Sequence, residues 1–199
     1  SASMFLGIVD STLPRTDVWG FVELGIFIER ADKTSRIVDL PYFLPQREAD
    51  SAWNTMLRAC SATAEHRQRY RGEVGATSAS SLLLFSGTFP RSVRYCVGRI
   101  DTLLHRISGT EMGDYLNEAE RSTGALLARI NFTGVEEIGR MGLHDYVDSL
   151  QNDLNEIGWA IAQRYFLLRK DAPPTNAEEY VTSRMRAQQQ QQEEQQQQQ

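Results

Sequence analysis

Apolar residues recur every three or four positions along most of this chain, which is the spacing of one face of an α-helix. The pattern is densest over residues 19–40, where we predict a first helix. Its predicted inner stripe consists of Phe21, Leu24, Ile28, Ala31, Ser35 and Val38. The opposite side is apolar at its ends and charged in the middle, at Glu29, Asp32, Lys33 and Arg36. Because a helix that is apolar all round is usually buried, we expect these charges to lie in or beside the core.

The same spacing predicts further helices and offers no partners for a strand, so the predicted fold is an all-α bundle of five to six helices with a long C-terminal helix. The further segments are 50–71, a short one within 73–89, 90–108 opened by Pro90 and closed by Gly109, 117–132, and 135–170 as the last and longest. In that last helix Gly139, Gly142 and Gly158 are expected to permit close approach of a neighbouring helix.

The predicted domain organisation is a lead-in over 1–15, the bundle over 16–172 and a tail over 173–199. Residues 1–3 precede Met4 and are expected to be a cloning remnant. The tail starts with two prolines, which end a helix, and it finishes in an almost pure glutamine tract. Such a tract cannot bury a core, so we interpret it as low-complexity sequence without a catalytic role.

The net charge and the composition of the chain argue against several classes of function. The net charge of −5 argues against nucleic acid as a partner, because phosphate binding needs a basic surface. No apolar run reaches the ~20 residues that span a bilayer. Cys60 and Cys96 have neither CxxC nor metal-ligand spacing and are expected to be buried thiols in the cytoplasm. No motif for a phosphate loop, a metal site or another cofactor is present.

The charged middle of the first helix allows two interpretations. Glu29 with Lys33, and Asp32 with Arg36, have the four-residue spacing of surface ion pairs, which stabilise a helix only slightly. Alternatively, Arg30 or Arg36 binds a carboxylate or phosphate as a planar fork, with a neighbouring acid holding it in place.

Two other groups carry candidate binding chemistry. Arg91 and Arg94 stand near a helix start, where they oppose the helix dipole unless an anion compensates; the alternative is a solvated basic turn. Glu120 and Arg121 repeat the Glu-Arg pair in a later helix. Arg36 remains the first candidate for mutation.

The candidate catalytic residue is His144, early in the last helix. An imidazole titrates near neutral pH and can act as a base, although a helical histidine is more often a hydrogen-bonded structural residue. His66 and His105 are expected to be exposed.

Ten stretches carry a family resemblance. They are 7–10 (GIVD) with Trp19, 24–25 (LG), 29–36 (ERADKTSR), Asp39, 69–70 (RY), 89–94 (FPRSVR), 107–110 (ISGT), 117–121 (NEAER), 142–144 (GLH) and 154–158 (LNEIG). Together they resemble the alpha-E family, bacterial all-helical domains of unknown function with a Glu-Arg motif. The resemblance covers about residues 7–170 and is to the second of two related halves. It therefore implies that a missing N-terminal half, or a second copy of the chain, completes the protein.

The resemblance also implies a partner, since alpha-E proteins tend to be encoded with or fused to a circularly permuted ATP-grasp protein. Our leading hypothesis is a non-catalytic accessory domain for such an amide or peptide ligase, with the Glu-Arg cluster holding an anionic ligand or partner. A second hypothesis is an acyl- or amide-transfer enzyme that uses His144 with Glu29 or Glu120. A third is a purely structural dimer, with the last helix as its seam.

Overall fold

Seven α-helices make up most of the described part of the chain. The computed structural model describes residues 7–9, 11–134, 138 and 140–167. The helices are Asp17–Asp39 (α1), Gln46–Ala59 (α2), Thr63–Tyr70 (α3), Ala76–Phe85 (α4), Val93–Ser108 (α5), Glu118–Phe132 (α6) and Leu143–Ile161 (α7). A 3₁₀ turn, Leu40–Phe43, follows α1, and a π-helical turn, Ala162–Phe166, follows α7. The all-α prediction is confirmed. Contacts divide the chain into units 1–164 and 165–199, and the bundle belongs to the first.

Four helices form an up-and-down bundle in the cyclic order α1, α5, α6, α7. Helices α1 and α5 run antiparallel, because Gly20 near the start of α1 lies against Ile107 near the end of α5. A Cβ at Gly20 would lie 3.1 Å from the Ile107 side chain, so this glycine permits the close approach. At the other end of α1, Asp39 meets His144 at the start of α7.

Apolar side chains from the four bundle helices, and from α2 and α4, form the core. The most deeply buried large side chains include Leu24, Leu57, Leu82, Leu83, Leu84, Ile100, Leu103, Leu104, Ile130, Leu150, Leu154 and Ile157. Within the predicted stripe of α1, the four positions Leu24, Ala31, Ser35 and Val38 are buried as expected. Phe21 and Ile28 are only half-buried, and the aromatic side chain buried between them is Phe27.

Helices α2 to α4 connect α1 to α5 and pack against one another. The single helix predicted over 50–71 is wrong, because the backbone breaks after Ala59. Ser61 adopts a positive φ of 55°, a conformation that L residues rarely adopt and that helix periodicity cannot reveal. Helix α3 ends at Tyr70, and its C-cap residue Arg71 is in the left-handed conformation, with φ 49°.

Helix starts and ends follow local chemistry where side chains can cap. Ser92 is the N-cap of α5, because its side chain accepts a hydrogen bond from the Tyr95 amide. The helix therefore starts at Val93, three residues after the predicted start at Pro90. Gly109 ends α5 in the left-handed conformation, as predicted. Asn117 caps α6 through the Glu120 amide.

The last helix departs from its prediction at Gly142. This residue has φ +97° and stands at the N-cap, so α7 starts at Leu143 and its 19 residues are fewer than the 23 of α1. Gly158 has no atom within 4 Å of where its Cβ would lie, so it does not mark a close helix approach. Residues 135–137, Gly139 and the tail from 173 lie outside the described residues, and the predicted domain boundary at 172 stays a prediction.

Candidate functional site

The charged middle of α1 lies on the surface. Glu29 and Lys33 pair with 63% and 67% of their side chains exposed, and Arg36, 57% exposed, pairs with Asp32 through two hydrogen bonds of 2.9 and 3.0 Å. The hydrogen bond to Asp32 raises the pKa of Arg36, and the negative charge of Asp32 adds a smaller effect in the same direction. The expectation that these charges lie in or beside the core is wrong for Glu29, Lys33 and Arg36, which are exposed, whereas Asp32 is half-buried. The apolar end of this face is itself exposed at Leu40.

Arg30 contacts another part of the chain, whereas Glu29, Asp32, Lys33 and Arg36 pair with one another within α1. Its Nη1 donates to the Pro90 carbonyl at 3.1 Å, and its guanidinium lies 5.3 Å from the Phe27 ring centroid. One turn on, the Thr34 hydroxyl donates to the Arg91 carbonyl at 2.9 Å. Thus the 29–36 and 89–94 stretches, which the sequence separates by some fifty residues, are in direct contact.

The two arginines at the start of α5 have separate surroundings. The Arg91 side chain is exposed, whereas half-buried Arg94 donates from Nη1 to the Phe85 carbonyl at 3.4 Å. Arg69 contacts the residue next to Phe85: its Nη1 donates to the Ser86 hydroxyl at 3.1 Å. Sequence analysis missed Arg69 as a site residue, although the 69–70 stretch was part of the resemblance.

Both cysteines are buried free thiols, as expected. Burial raises the pKa of Cys96 to about 12, an effect that the charges of Arg30 and Arg91 reduce. Burial likewise raises the pKa of Cys60, again reduced by Arg91. The thiols are therefore protonated and unreactive at neutral pH.

The second Glu-Arg pair is divided between interior and surface. The Glu120 carboxylate is buried and accepts hydrogen bonds from the Leu116 amide at 2.8 Å and the Thr110 hydroxyl at 3.4 Å. Burial opposes its ionisation, but hydrogen bonds from Ser108, Leu116 and Asn117 prevail and lower the pKa of Glu120. Arg121 is exposed and pairs with Glu118 at 3.3 Å.

The two Glu-Arg pairs do not form one site. Arg30 contacts the residues that precede α5, and Glu120 contacts those that follow it. Sixteen helical residues separate these ends, which at ~1.5 Å per residue is about 24 Å. Glu120 therefore does not orient the arginines near Pro90, contrary to the expectation of a shared cluster.

His144 has Asp39 as its partner. Its Nδ1 lies 2.8 Å from the Asp39 carboxylate, and its ring stacks on Tyr42 with centroids 3.7 Å apart. The Asp39 hydrogen bond raises the pKa of His144; burial opposes it, and the Asp39, Asp145 and Asp148 charges add to it. Glu29 is ten residues from Asp39 along α1, about 15 Å, and Glu120 contacts the far end of the bundle. The predicted pairing of His144 with either glutamate is not formed.

The other two histidines are buried, so the expectation that they are exposed is wrong. His66 lies 2.9 Å from the Ser78 hydroxyl, and burial lowers its pKa. His105 lies 2.8 Å from the Asp101 carbonyl and 3.1 Å from the Asp114 carbonyl. Burial raises the pKa of Asp101, which nearby His105 lowers in part. These contacts connect α5 to the following loop.

The surface of the described residues contains two grooves of similar volume. One, of about 400 Å³, lies between the end of α1, the 3₁₀ turn and α2, and its walls include Ile37, Leu40, Leu44 and Met56. The other, of about 360 Å³, lies between α6 and α7 beside the Arg129–Asp153 ion pair. Neither groove was foreseen, since each depends on how two helices pack against each other.

The described residues offer neither a metal-binding cluster nor a membrane-spanning helix. Within the described ranges, no three His, Cys, Asp or Glu side chains are grouped so as to hold a metal ion. Every described helix is too short or too polar to cross a bilayer.

The fold and site define a class: an all-α up-and-down bundle with three inserted helices, a Glu-Arg pair on each of two bundle helices, and an exposed charged row. The chain belongs to the Alpha-E family, whose model, described as a predicted alpha-helical domain with a conserved ER motif, matches residues 1–166. No curated protein and no solved structure matches the chain. The dipeptide Glu-Arg occurs twice, at 29–30 and 120–121.

Proposed function

We propose that this chain is a non-catalytic accessory domain that docks a circularly permuted ATP-grasp-type amide or peptide ligase through the exposed face of α1. The observation that carries the proposal is a continuous exposed stripe. Glu29, Lys33, Arg36 and Leu40 are all exposed, and their spacing of four, three and four residues puts them on one side of the helix. A charged row that leads into an apolar end is a surface suited to a protein partner.

The apolar end of this stripe is larger than one residue. Leu40, Tyr42, Phe43 and Leu44 are 48%, 64%, 68% and 36% exposed, and the groove of about 400 Å³ lies beside them. Contiguous exposed apolar surface with a polar rim commonly marks an interaction site. We therefore assign the apolar contacts to the 40–44 segment, which we call the docking patch, and the charged contacts to α1.

The arginines supply the anionic contacts in this proposal. Arg36 and Arg91 are exposed beside the patch and the 89–94 loop, with Asp32 orienting Arg36 and Arg30 fixing the loop. The ligase as partner rests on the family resemblance, and both proteins would work in the cytoplasm, where Cys60 and Cys96 stay reduced.

The test is an affinity capture of the full chain from its source cells, with bound proteins identified by mass spectrometry. We expect enrichment of an ATP-grasp ligase, lost with Phe43→Asp and retained with Phe132→Asp, a matched control because Phe132 is also exposed, at 88%. Arg36→Ala should weaken capture while leaving the melting temperature unchanged. Recovery of the bait alone, under conditions that retain weak binders, or full retention by Phe43→Asp, would contradict the proposal.

The structural dimer finds less support. Its predicted seam is the last helix, whose apolar stripe consists of Leu143, Val147, Leu150, Leu154, Ile157, Ile161 and Leu168. Five of these side chains, Val147 to Ile161, are buried against the chain's own helices, Leu143 is half-buried, and Leu168 lies outside the described residues. This stripe is already used in the core. The enzyme alternative, in turn, would need Asp39 rather than a glutamate as the partner of His144.

A further inference from the structure

Two arginines from different helices converge on one corner of the loop between α4 and α5. Arg69, near the end of α3, donates to the Ser86 hydroxyl at 3.1 Å. Arg94, in the first turn of α5, donates to the Phe85 carbonyl at 3.4 Å. Because Phe85 and Ser86 are adjacent residues, the two guanidinium groups are brought to the same short piece of backbone.

Neither positive charge is neutralised by a described carboxylate. Each guanidinium carries five N–H donors, and within the described chain each makes one hydrogen bond to the corner and no ion pair. Arg69 also lies 6.0 Å from the Tyr70 ring centroid. In contrast, Arg36, Arg121 and Arg129 all have an acidic partner. The corner thus carries two positive charges, and most N–H donors of the two guanidinium groups are available to a ligand.

The corner is open because residue 87 has no side chain. Gly87 is exposed, and a Cβ there would lie 3.8 Å from both the central carbon and Nη1 of Arg94. A side chain at this position would therefore stand directly against the guanidinium. Gly87 has an ordinary negative-φ or extended backbone rather than the left-handed one, so space beside Arg94, not backbone conformation, is what glycine provides.

The corner itself is held rigidly. The Ser86 hydroxyl accepts a hydrogen bond from the Phe89 amide at 3.1 Å, and the Ser92 hydroxyl donates to the Ser86 carbonyl. The Ser86 and Ser92 side chains are both buried. A rigid loop that carries two arginine forks is preorganised for a ligand and loses little entropy when it binds one.

We infer that this corner is a binding site for an oxyanion with two negative charges, such as a phosphoryl group, held between Arg69 and Arg94. Guanidinium forks match the geometry of phosphate oxygens, and two positive charges match a dianion better than a single carboxylate. The contact of Arg94 with the end of α4 does not account for the pair, since its 3.4 Å bond uses one of five donors. The inference holds with or without the ligase proposed above.

The test titrates inorganic phosphate into the full chain by isothermal calorimetry at constant ionic strength. The decisive variants are Gly87→Glu, which puts a competing carboxylate against Arg94, and its uncharged match Gly87→Gln. We expect saturable binding that Gly87→Glu, Arg94→Gln and Arg69→Gln each weaken at least tenfold. Gly87→Gln and Arg121→Gln should leave the affinity within twofold. Circular dichroism confirms that every variant is folded.

Three results would overturn the inference: no saturable phosphate binding, equal losses with Gly87→Glu and Gly87→Gln, or an unchanged affinity in Arg69→Gln. Sulfate and acetate separate the ligand classes. Sulfate should compete with phosphate, and acetate should bind at least tenfold more weakly; acetate binding as tight as phosphate would contradict a dianion site. Because no partner is present, failure here leaves the capture experiment unaffected, and failure there leaves this site unaffected.

Discussion

Replacing the glutamate of each Glu-Arg pair by alanine should separate a structural residue from a surface one. Glu120 is buried and its carboxylate accepts the Leu116 amide. A hydrogen bond to a charged group contributes about 1.5–3 kcal/mol, and truncation also leaves a small cavity. We therefore expect Glu120→Ala to lower the free energy of unfolding by about 2–4 kcal/mol. Glu29→Ala removes only an exposed pair, and should lower it by about 0.5 kcal/mol or less.

Urea and thermal unfolding at neutral pH measure both losses. For a domain of this size each kcal/mol shifts the melting temperature by about 2–4 °C, so Glu120→Ala should lose roughly 5–15 °C and Glu29→Ala at most about 2 °C. Glu120→Gln keeps the shape and removes the charge, and should fall between the two. Equal losses in the two alanine variants, or a loss below about 0.5 kcal/mol for Glu120→Ala, would refute the structural assignment of Glu120.

Acid pH gives the same prediction an independent readout. The lowered pKa of Glu120 means that the folded state binds fewer protons than the unfolded state as the pH falls below the ordinary value of about 4.3. The stability that the carboxylate contributes is complete above that value and is lost as the pH falls through the folded-state pKa. The difference between wild type and Glu120→Gln should therefore shrink in acid.

Two further predictions concern the Asp39–His144 pair and the contact of Gly124 with Tyr115. Because the pKa of His144 is raised, the stability that His144 contributes is complete below the ordinary histidine pKa and is lost as the pH rises through the folded-state pKa. In an NMR titration, Asp39→Asn should lower the pKa of His144. An unchanged pKa would contradict the role of the hydrogen bond. A Cβ at Gly124 would lie 2.4 Å from the Tyr115 ring. Gly124→Ala should therefore displace the ring and lower the melting temperature by several degrees. A fluorescence spectrum and a melting temperature identical to those of the wild type would refute the close contact.

The elements that the sequence predicted well are those whose ends carry their own signals. Asn117 and Gly109 mark helix boundaries by a side-chain acceptor and by a residue that tolerates positive φ, so the local sequence is sufficient. Ser61 shows the opposite case. A serine in the left-handed conformation has no sequence signal, so helix periodicity does not reveal the break between α2 and α3.

The burial of the charged row on α1 could not be judged from a helical wheel. The pattern shows which side chains share a face, whereas the neighbouring helices decide which faces are covered. Helices α5 and α7 cover the faces that carry Leu24 and Val38, and they leave Leu40 half exposed. Hence the apolar end at Leu40, which was interpreted as evidence of burial, belongs to the exposed stripe. The Asp39–His144 pair was unpredictable for a related reason, since 105 positions separate its members.

The two Glu-Arg pairs share a structural logic that their sequence does not reveal. In the first pair the arginine turns inward and holds the Pro90 carbonyl, just before α5; in the second the glutamate turns inward and holds the Leu116 amide, beyond the end of α5. Each pair thus secures the backbone of a connection at opposite ends of one core helix and leaves its other member, Glu29 or Arg121, on the surface. The inward members, Arg30 and Glu120, thus hold the connections at the two ends of α5, and Glu29 and Arg121 are the members that a binding partner could reach.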